Sequence, residues 1–521
     1  MKPIPAFPLR AGRPAAAWAV LAVLLALPGC AVGPDFESPA APAADRYTAA
    51  ATPAATAGSA RAPAQRLHAG MDIPAQWWTL FRSPELDQLV REALAHSPTL
   101  EQARARLRQA REEFSAESGV RALPSVDANL SGARQKVDPS AYGVPVVQQP
   151  APFTLYNASI DVSYTLDLFG GQRRALEGLR AQVDYRQHEL QAARMTLAAN
   201  VVTAAIRQAG LQGRLEATQA QFDAQARQLA IVRQRQQAGG VADLDVRRQE
   251  SLLAQTRAAL PALEQDIERT RHQLAAYLGR LPAQADWPPL PLQALQLPLD
   301  VPLGLPSQLT RQRPDILAAE ALWHRAAADV GVATANLYPR FTLTGSFGSQ
   351  RTRAGDVADG VNVWSLALGL TQPLFHGGEL RARQRAAEAA YQGAAAAYRD
   401  TVLQGFRQVA DALRAVQADA DILQARVEAE QQAQAAYRIT ARQYQAGGVS
   451  QLALLDAQRE QLRTRAERIQ AQADRHADTA ALLQALGGGW WNEPEGVSSL
   501  HPPPSPPACH GCFPATASPA D

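Results

Sequence analysis

The amino-acid sequence contains the same pattern twice, and this duplication limits what the chain can fold into more than any other feature. Short motifs recur in the same order about 210 residues later. The four clearest correspondences are 97–100 with 313–316, 123–126 with 338–341, 168–171 with 374–378, and 237–241 with 445–449. A repeat of this length is a duplicated domain and not a short solenoid period. We therefore expect two halves built from the same elements in the same order.

Each half contains long stretches with helical periodicity. The predicted helices cover about 84–119, 172–237 and 241–279 in the first half and about 307–337, 378–446 and 449–486 in the second. At 1.5 Å per residue, the middle helix of each half would be on the order of 100 Å long. Apolar residues recur at seven-residue spacing, for example at Leu176, Val183, Leu190 and Leu197. Such heptads, together with abundant Ala, predict closely packed coiled-coil helices.

A Gly-Gly pair and a Val follow each of the two longest helical segments. Glycine readily adopts the left-handed backbone that ends a helix, so these residues predict the tip of a helical hairpin in each half. The predicted tips consist of Gly239, Gly240 and Val241 in the first half and Gly447, Gly448 and Val449 in the second.

Four segments between the helices alternate apolar and polar residues with a period of two. They cover about 123–133, 155–168, 341–347 and 362–371, and the stretches 134–153 and 350–361 fit as exterior loops. Such strands are typical of membrane β-barrels, although a soluble sandwich with one solvated face has the same alternation. Open sheet edges are not tolerated in lipid, and four strands are too few to close a barrel. Several copies of the chain must therefore combine.

The N-terminus carries the features of an export signal. Residues 1–29 combine basic residues with an apolar stretch that is too short to span a bilayer. The final Leu-Pro-Gly before Cys30 resembles a bacterial lipobox, which makes Cys30 the predicted site of acylation, including palmitate. By resemblance to sorted bacterial lipoproteins, Ala31 favours the outer membrane over retention in the inner membrane. An ordinary signal peptide followed by an incidental Cys is the alternative.

Several classes of function lack support in the sequence. Lys and Arg number 51 against 49 Asp and Glu, so the net charge of +2 provides no basic excess for nucleic acid. Neither a phosphate-binding loop nor a nucleophile motif is present, and we expect no enzyme activity, no cofactor and no metal. Cys509 and Cys512 form one isolated pair in a Pro-rich tail. Such a pair is only a weak signal for a metal or redox site.

The order and spacing of several motifs resemble one known family. The matching motifs are Cys-Ala-Val-Gly-Pro-Asp-Phe at 30–36, Trp-Trp at 77–78, Tyr-Thr-Leu-Asp-Leu-Phe-Gly at 164–170, Arg-Pro-Asp-Ile at 313–316, Tyr-Pro at 338–339, Leu-Leu-Asp-Ala-Gln-Arg at 454–459 and Ala-Leu-Gly-Gly-Gly-Trp at 485–490. The chain is similar to the TolC-like outer-membrane factors of tripartite efflux pumps, in particular to the NodT-type lipoproteins. The likeness covers about 28–491.

This resemblance implies a fold, a location and a set of partners. The fold is mainly α with a membrane β part: four strands per chain form a twelve-stranded barrel in a homotrimer, on a long coiled-coil α-barrel. The protein would be a lipid-anchored exit duct in the outer membrane, with its helical tunnel in the periplasm, that passively conducts drugs or other small molecules. Its hairpin tips would dock a periplasmic adaptor (membrane fusion) protein, which joins it to an inner-membrane transporter of the resistance-nodulation-division (RND) class.

The resemblance also implies a gate just past the second hairpin tip. The matched positions are Leu452, Asp456 and Arg459, and their spacing of four and three places them along one helix face. Asp243 and Asp245 on the first hairpin are a further acidic pair that could contribute. We expect polar ties to hold the closed state and adaptor binding to favour an open one. For Asp456 and Arg459, a solvated pair within one helix is the alternative.

Two other functions remain open at the level of sequence. A type I protein-secretion duct has the same architecture, and a structural coiled-coil periplasmic lipoprotein has long helices and a lipidated Cys. The expected organisation is a signal peptide at 1–29, a lipidated leader with an equatorial segment at 30–82, a first efflux repeat at 83–281, a Pro-rich linker at 282–306, a second efflux repeat at 307–490 and a disordered tail at 491–521.

Overall fold

The computed structural model describes residues 31–59, 62–136 and 151–492. The helices in these ranges are α1 (Pro84–His96), α2 (Pro98–Ala122), α3 (Gly171–Gln237), α4 (Asp243–Tyr277), α5 (Pro306–Gln312), α6 (Pro314–Ala335), α7 (Glu379–Gln445) and α8 (Gln451–Ala485). The strands are β1 (Arg66–Ala69), β2 (Ser125–Gln135), β3 (Phe153–Leu166), β4 (Asp300–Leu303), β5 (Arg340–Arg351) and β6 (Val363–Thr371). The predicted signal peptide, Cys30, Cys509 and Cys512 lie outside the described residues.

The first helical segment of each half is two helices, and the expectation of a single continuous helix was wrong. Ser97 separates α1 from α2 with an extended backbone (φ −64°, ψ 125°), and Arg313 separates α5 from α6 in the same way (φ −88°, ψ 121°). Both residues precede a proline. The proline ring disfavours a helical conformation in the residue before it, while it fits well in the first turn of the next helix.

The duplication is evident in the lengths of the long helices. Both α3 and α7 contain 67 residues, and both returning helices, α4 and α8, contain 35 residues. At 1.5 Å per residue, α3 and α7 are each about 100 Å long. These bounds confirm the predicted helices to within about two residues, which is the usual uncertainty of a helix end.

Strands β2, β3, β5 and β6 form one antiparallel sheet in the order β2-β3-β5-β6. The two halves meet inside this sheet, where β3 pairs with β5 from Tyr156↔Arg351 to Leu166↔Phe341. Strand β5 extends to Arg351, so part of the stretch expected to be an exterior loop belongs to the sheet. Strands β2 and β6 lie at the two edges, and each has an unpaired side.

A second, smaller sheet was not predicted. Strand β1 from the leader pairs in parallel with β4 from the Pro-rich linker, with Arg66 opposite Asp300. The buried Arg475 of α8 attaches to the same leader, because its guanidinium donates hydrogen bonds to the Pro63 carbonyl (2.8 Å) and to the Gln65 side chain (3.2 Å). The leader and the linker are therefore folded parts of the molecule.

The described chain divides into two compact units. One comprises 31–40, 102–136, 151–190 and 315–402 and contains the four-stranded sheet. The other comprises 41–59, 62–101, 191–314 and 403–492 and contains the small sheet and both hairpin turns, with Trp77, Phe81 and Leu86 fully buried in its core. Among the residues that the structure describes, no helix is long and apolar enough to cross a membrane.

Candidate functional site

Both hairpin tips end their long helix in the same way. Gly239 and Gly447 have positive φ angles of 80° and 78°. The next residue in each tip, Gly240 or Gly448, donates its amide to a carbonyl five residues earlier, at 2.8 Å in both cases. This pair of features defines a Schellman motif, which satisfies carbonyls that the helix end would otherwise leave unpaired. The Gly-Gly pairs therefore turn the chain as predicted.

The first tip carries a network of charged side chains. Asp243 lies in the first turn of α4, where a carboxylate complements the helix dipole, and it accepts a hydrogen bond from the Gln236 amide at 3.0 Å. Arg233 of α3 pairs with Glu250 of α4 at 2.7 Å and so joins the two arms of the hairpin. Asp245 lies 3.9 Å from Arg248 in its own helix. The two predicted aspartates thus form separate local interactions in one chain.

The second tip presents the predicted gate residues away from its packed face. Leu452, Asp456 and Arg459 are exposed, whereas the intervening Leu455 and Gln458 are buried. Asp456 and Arg459 lie 3.9 Å apart on neighbouring turns of α8. Within one chain this is a solvated pair, and such pairs contribute little to stability. The structure places the three residues along one exposed face of the helix.

The two tips contact each other through a cation–π pair that the sequence reasoning missed. The Arg235 guanidinium lies 5.3 Å from the centre of the Tyr444 ring. Arg235 lies four residues before the first Gly-Gly pair, and Tyr444 lies three residues before the second. These corresponding positions are the only indication of the contact in the sequence. Val241 belongs to a neighbouring apolar cluster with Leu229 and Val232. This cluster packs the first tip against its own long helix, whereas the Arg235–Tyr444 pair links the first tip to the second.

The four-stranded sheet has one apolar and one polar face. Residues that face each other across the strands form aligned rows. Apolar rows are Ala128, Ile160, Phe347 and Trp364, and Val126, Val162, Gly345 and Leu366, whereas a polar row is Asp127, Asp161, Ser346 and Ser365. The apolar residues of the four strands therefore form one continuous face, as their alternation predicts. Trp364 on that apolar face is 77% exposed.

Comparison with protein families decides the assignment. The model of the family described as "Outer membrane efflux protein" matches residues 89–280 and 305–488, which together make up more than half of the chain. The chain belongs to the outer membrane efflux protein family. As a member of this family it is an outer-membrane efflux component with a TolC-like fold and is not an enzyme, which confirms those predictions.

Individual relatives agree with the family assignment. The chain is 33% identical over 417 residues to the pyoverdine export outer membrane protein OpmQ of Pseudomonas putida, with 80% of this chain and 88% of the relative covered. It is 32% identical over 492 residues to the outer membrane protein OprJ of Pseudomonas aeruginosa, with 92% and 97% covered. The solved outer-membrane channel OprN is similar with a TM-score of 0.79 and 32% identity, over 88% of this chain and 100% of that one.

The first described residues of this efflux protein bind tightly beside the sheet. The Val32 amide donates to the Phe169 carbonyl at 3.1 Å, just after β3, and Asp35 forms an ion pair with the buried Arg174 of α3. The Phe36 ring stacks on His324 of α6, with 4.5 Å between the ring centres. The predicted lipidation site Cys30 itself lies outside the described residues, but the chain that follows it is fixed at the end of a strand.

A group of charged residues lies between α7 and α8, away from the tips. Burial, followed by the neighbouring Asp478 carboxyl, raises the pKa of Asp419 to about 7, even though the nearby Arg475 acts in the opposite direction. Burial also lowers the pKa of His476, whose ring nitrogens face the carbonyls of Gln472 and Leu295. Within the described ranges, no cluster of His, Cys, Asp or Glu has the geometry of a metal site.

Proposed function

We propose that this efflux protein is a passive exit duct formed by three copies of the chain. Each copy would contribute its four strands to a closed twelve-stranded barrel through the outer membrane. The observation that carries this proposal is the sheet: its apolar face is exposed, and its edge strands β2 and β6 are each unpaired on one side. In lipid, every backbone polar group needs a partner, and closure with further copies provides one for both edges.

The hairpin tips fit the role of a docking surface for a periplasmic adaptor protein, which would join the duct to an inner-membrane RND-type transporter. The two tips of one chain lie side by side through Arg235 and Tyr444, and their turns are exposed. Energy would come from the transporter. The name of the relative OpmQ, a pyoverdine export protein, supports small-molecule export, and so we propose small molecules rather than proteins as the cargo.

We propose Leu452, Asp456 and Arg459 as the gate at the tunnel entrance, with Asp243 and Asp245 as nearby acidic residues. Within one chain, Asp456 and Arg459 approach each other only to 3.9 Å. Three copies around an axis would arrange the gate residues as rings. In such a ring, Asp456 of one copy and Arg459 of the next could form ion pairs that hold neighbouring helices together. Adaptor binding would then favour the open state.

We propose that Cys30 carries acyl chains that anchor the protein in the outer membrane. The support is the binding of 31–36 at the end of β3, because a chain fixed there holds the preceding residue close to the membrane-spanning strands. One acyl chain gives only reversible attachment, so the anchor would add to the barrel and not replace it.

Single-channel recording tests the proposed function. The full-length protein, purified from outer membranes, is added to a planar lipid bilayer. We expect discrete conductance steps without ATP or any other energy source. A well-folded protein that never produces steps, and that is recovered from the membrane fraction without forming trimers, would instead support the structural coiled-coil lipoprotein.

The same recording tests the gate through a matched pair of variants. Replacing both Asp456→Ala and Arg459→Ala should raise the conductance or the open probability, because the ties between copies are lost. The control replaces Asp266→Ala and Arg269→Ala, an exposed pair with the same spacing at 3.2 Å on α4. Equal conductance in the gate variant, the control and the unchanged protein would rule out this gate.

A further inference from the structure

Three glutamine side chains form a buried polar layer inside the first hairpin, between α3 and α4. Gln221 and Gln225 belong to α3 and Gln249 to α4, and both Gln225 and Gln249 are 0% exposed. The Gln249 side-chain amide donates to the main-chain carbonyl of Gln225 at 3.3 Å. Both amide atoms of Gln225, Oε1 of Gln249 and Nε2 of Gln221 are buried without a hydrogen-bond partner among the residues that the structure describes. We call these three residues the glutamine layer.

The glutamine layer lies between two apolar clusters of the same hairpin. The tip cluster consists of Leu229, Val232 and Val246, and the stem cluster, on the side away from the turn, consists of Leu211, Leu263 and Ile267. Apolar packing thus holds α3 and α4 together on both sides of the layer. At the layer itself, buried amides without partners have lost their hydrogen bonds to water and gained none in return, which costs free energy. The layer is therefore a weak point in the contact between the two helices.

A proline interrupts α4 in the same stretch of the hairpin. Pro261 lies inside the helix, between Gln249 of the layer and Leu263 of the stem cluster. Proline has no N–H to donate to the carbonyl of Arg257, four residues earlier, and its ring crowds that carbonyl. Sharp bends in helices occur mostly at prolines and at a few other defined features. A weak contact between the helices and a missing hydrogen bond within one of them therefore occur close together.

The second hairpin lacks both features, although it is a duplicate of the first. Its helices α7 and α8 have the same lengths as α3 and α4, so the positions can be matched one by one. The counterparts of the glutamine layer are Ala429, Ala433 and Ala457, and the counterpart of Pro261 is Ile469, which is buried. The weak point is thus a property of the first hairpin and not of the repeated design.

We propose that the first hairpin contains a hinge at the glutamine layer, about which its tip moves as one body relative to its stem. The tip cluster holds the moving part together, and Pro261 allows α4 to bend. The movement releases the Arg235–Tyr444 contact between the tips, a cation–π pair of modest strength. The second hairpin is a continuous pair of helices without such a hinge.

The hinge gives the two tips different roles in the proposed duct. The first tip would adapt its position to a docked adaptor, while Leu452, Asp456 and Arg459 keep their places on the second hairpin. This consequence rests on the proposed function. The hinge itself does not, since it follows from packing within one hairpin.

Hydrogen exchange of the full-length protein, purified from outer membranes in mild detergent, tests the hinge. Backbone amides exchange through local opening, so the rates report how easily each segment separates from its neighbours. We expect the first tip, 226–248, to exchange faster than its counterpart 434–456 and faster than the stem segment 205–215. Equal rates in the two tips would overturn the proposal.

A pair of substitutions tests whether the glutamine layer causes the opening. Gln225→Met with Gln249→Met keeps the side-chain length and the helix propensity but removes the unpaired amides. We expect exchange in 226–248 to slow by roughly fivefold or more, with little change in 205–215 or 434–456. The control is Gln219→Met with Gln255→Met, one exposed residue on each helix, which should leave all three segments unchanged.

Pro261→Ala tests the other half of the hinge. The new amide can donate to the Arg257 carbonyl, so α4 stiffens and exchange in 226–248 should slow again. The control is Pro84→Ala, because a proline in the first turn of α1 replaces no helical hydrogen bond. If the Met pair or Pro261→Ala slows the stem as much as the tip, or slows neither, the hinge is wrong. Single-channel conductance is measured on the same samples, and its absence would count against the duct and not against the hinge.

Discussion

Single glycines determine how the long helices end. Gly447 has a φ of 78°, and a Cβ atom built there meets nothing within 4 Å, so its only constraint is backbone conformation. Gly447→Ala should therefore ease opening of the tip by about 1–2 kcal/mol, measured by hydrogen exchange of the α7–α8 turn. Gly393 lies inside helix α7 with equally open surroundings. Gly393→Ala should change stability in the opposite direction, by about 0.5–1 kcal/mol. Destabilisation by both substitutions would contradict this reasoning.

The half-buried carboxyl of Asp419 makes a prediction about pH. Its pKa of about 7 lies above the unfolded value of 3.8, so the folded protein binds the extra proton. Its contribution to stability is full at low pH and is lost as the pH rises through about 7. Asp419→Asn should therefore raise the melting temperature relative to the unchanged protein more at about pH 8 than at about pH 5. The exposed Asp266→Asn is the control, and equal differences at both pH values would exclude a titrating Asp419.

At the scale of elements, the segment 31–36 packs against helix α6 at a point where two glycines are in contact. Gly33 has a φ of 96°, and a Cβ atom at this position would lie 2.5 Å from the Gly331 Cα of α6. Gly33→Ala should displace the segment and free Phe36, so that limited chymotrypsin digestion cleaves there faster. The control is Gly119→Ala, where the added methyl meets no neighbour. Unchanged cleavage at Phe36 would mean that the segment 31–36 accommodates the added methyl group without moving.

The elements also show what the sequence could predict. The long heptads and the Gly-Gly tips predict the bounds of α3, α4, α7 and α8 to within about two residues, because many residues contribute to each pattern. A proline follows both Ser97 and Arg313. In the sequence, these prolines serve as evidence for the repeat and not for a break between two helices. Strands β1 and β4 have four residues each, too few to show alternation, and their parallel pairing joins segments more than 200 residues apart. The Arg235–Tyr444 contact depends on how two hairpins pack, which no local pattern specifies.

At the scale of the whole molecule, the duplication explains why one chain is incomplete. Two halves provide four strands and two helical hairpins, and the sheet still has two free edges with exposed apolar residues such as Trp364 and Leu366. Neighbouring copies would protect these edges, which natural sheets rarely leave open. The assembly is therefore the unit in which the gate, the barrel and the tips acquire their proposed roles.

The number of chains in the assembly tests this account most directly. Native mass spectrometry of the full-length protein, extracted from outer membranes in mild detergent, measures that number without any assumption about activity. The account predicts a single dominant species with three times the mass of the mature chain. A dominant monomer or dimer would contradict it, because four or eight strands would then have to form the membrane barrel.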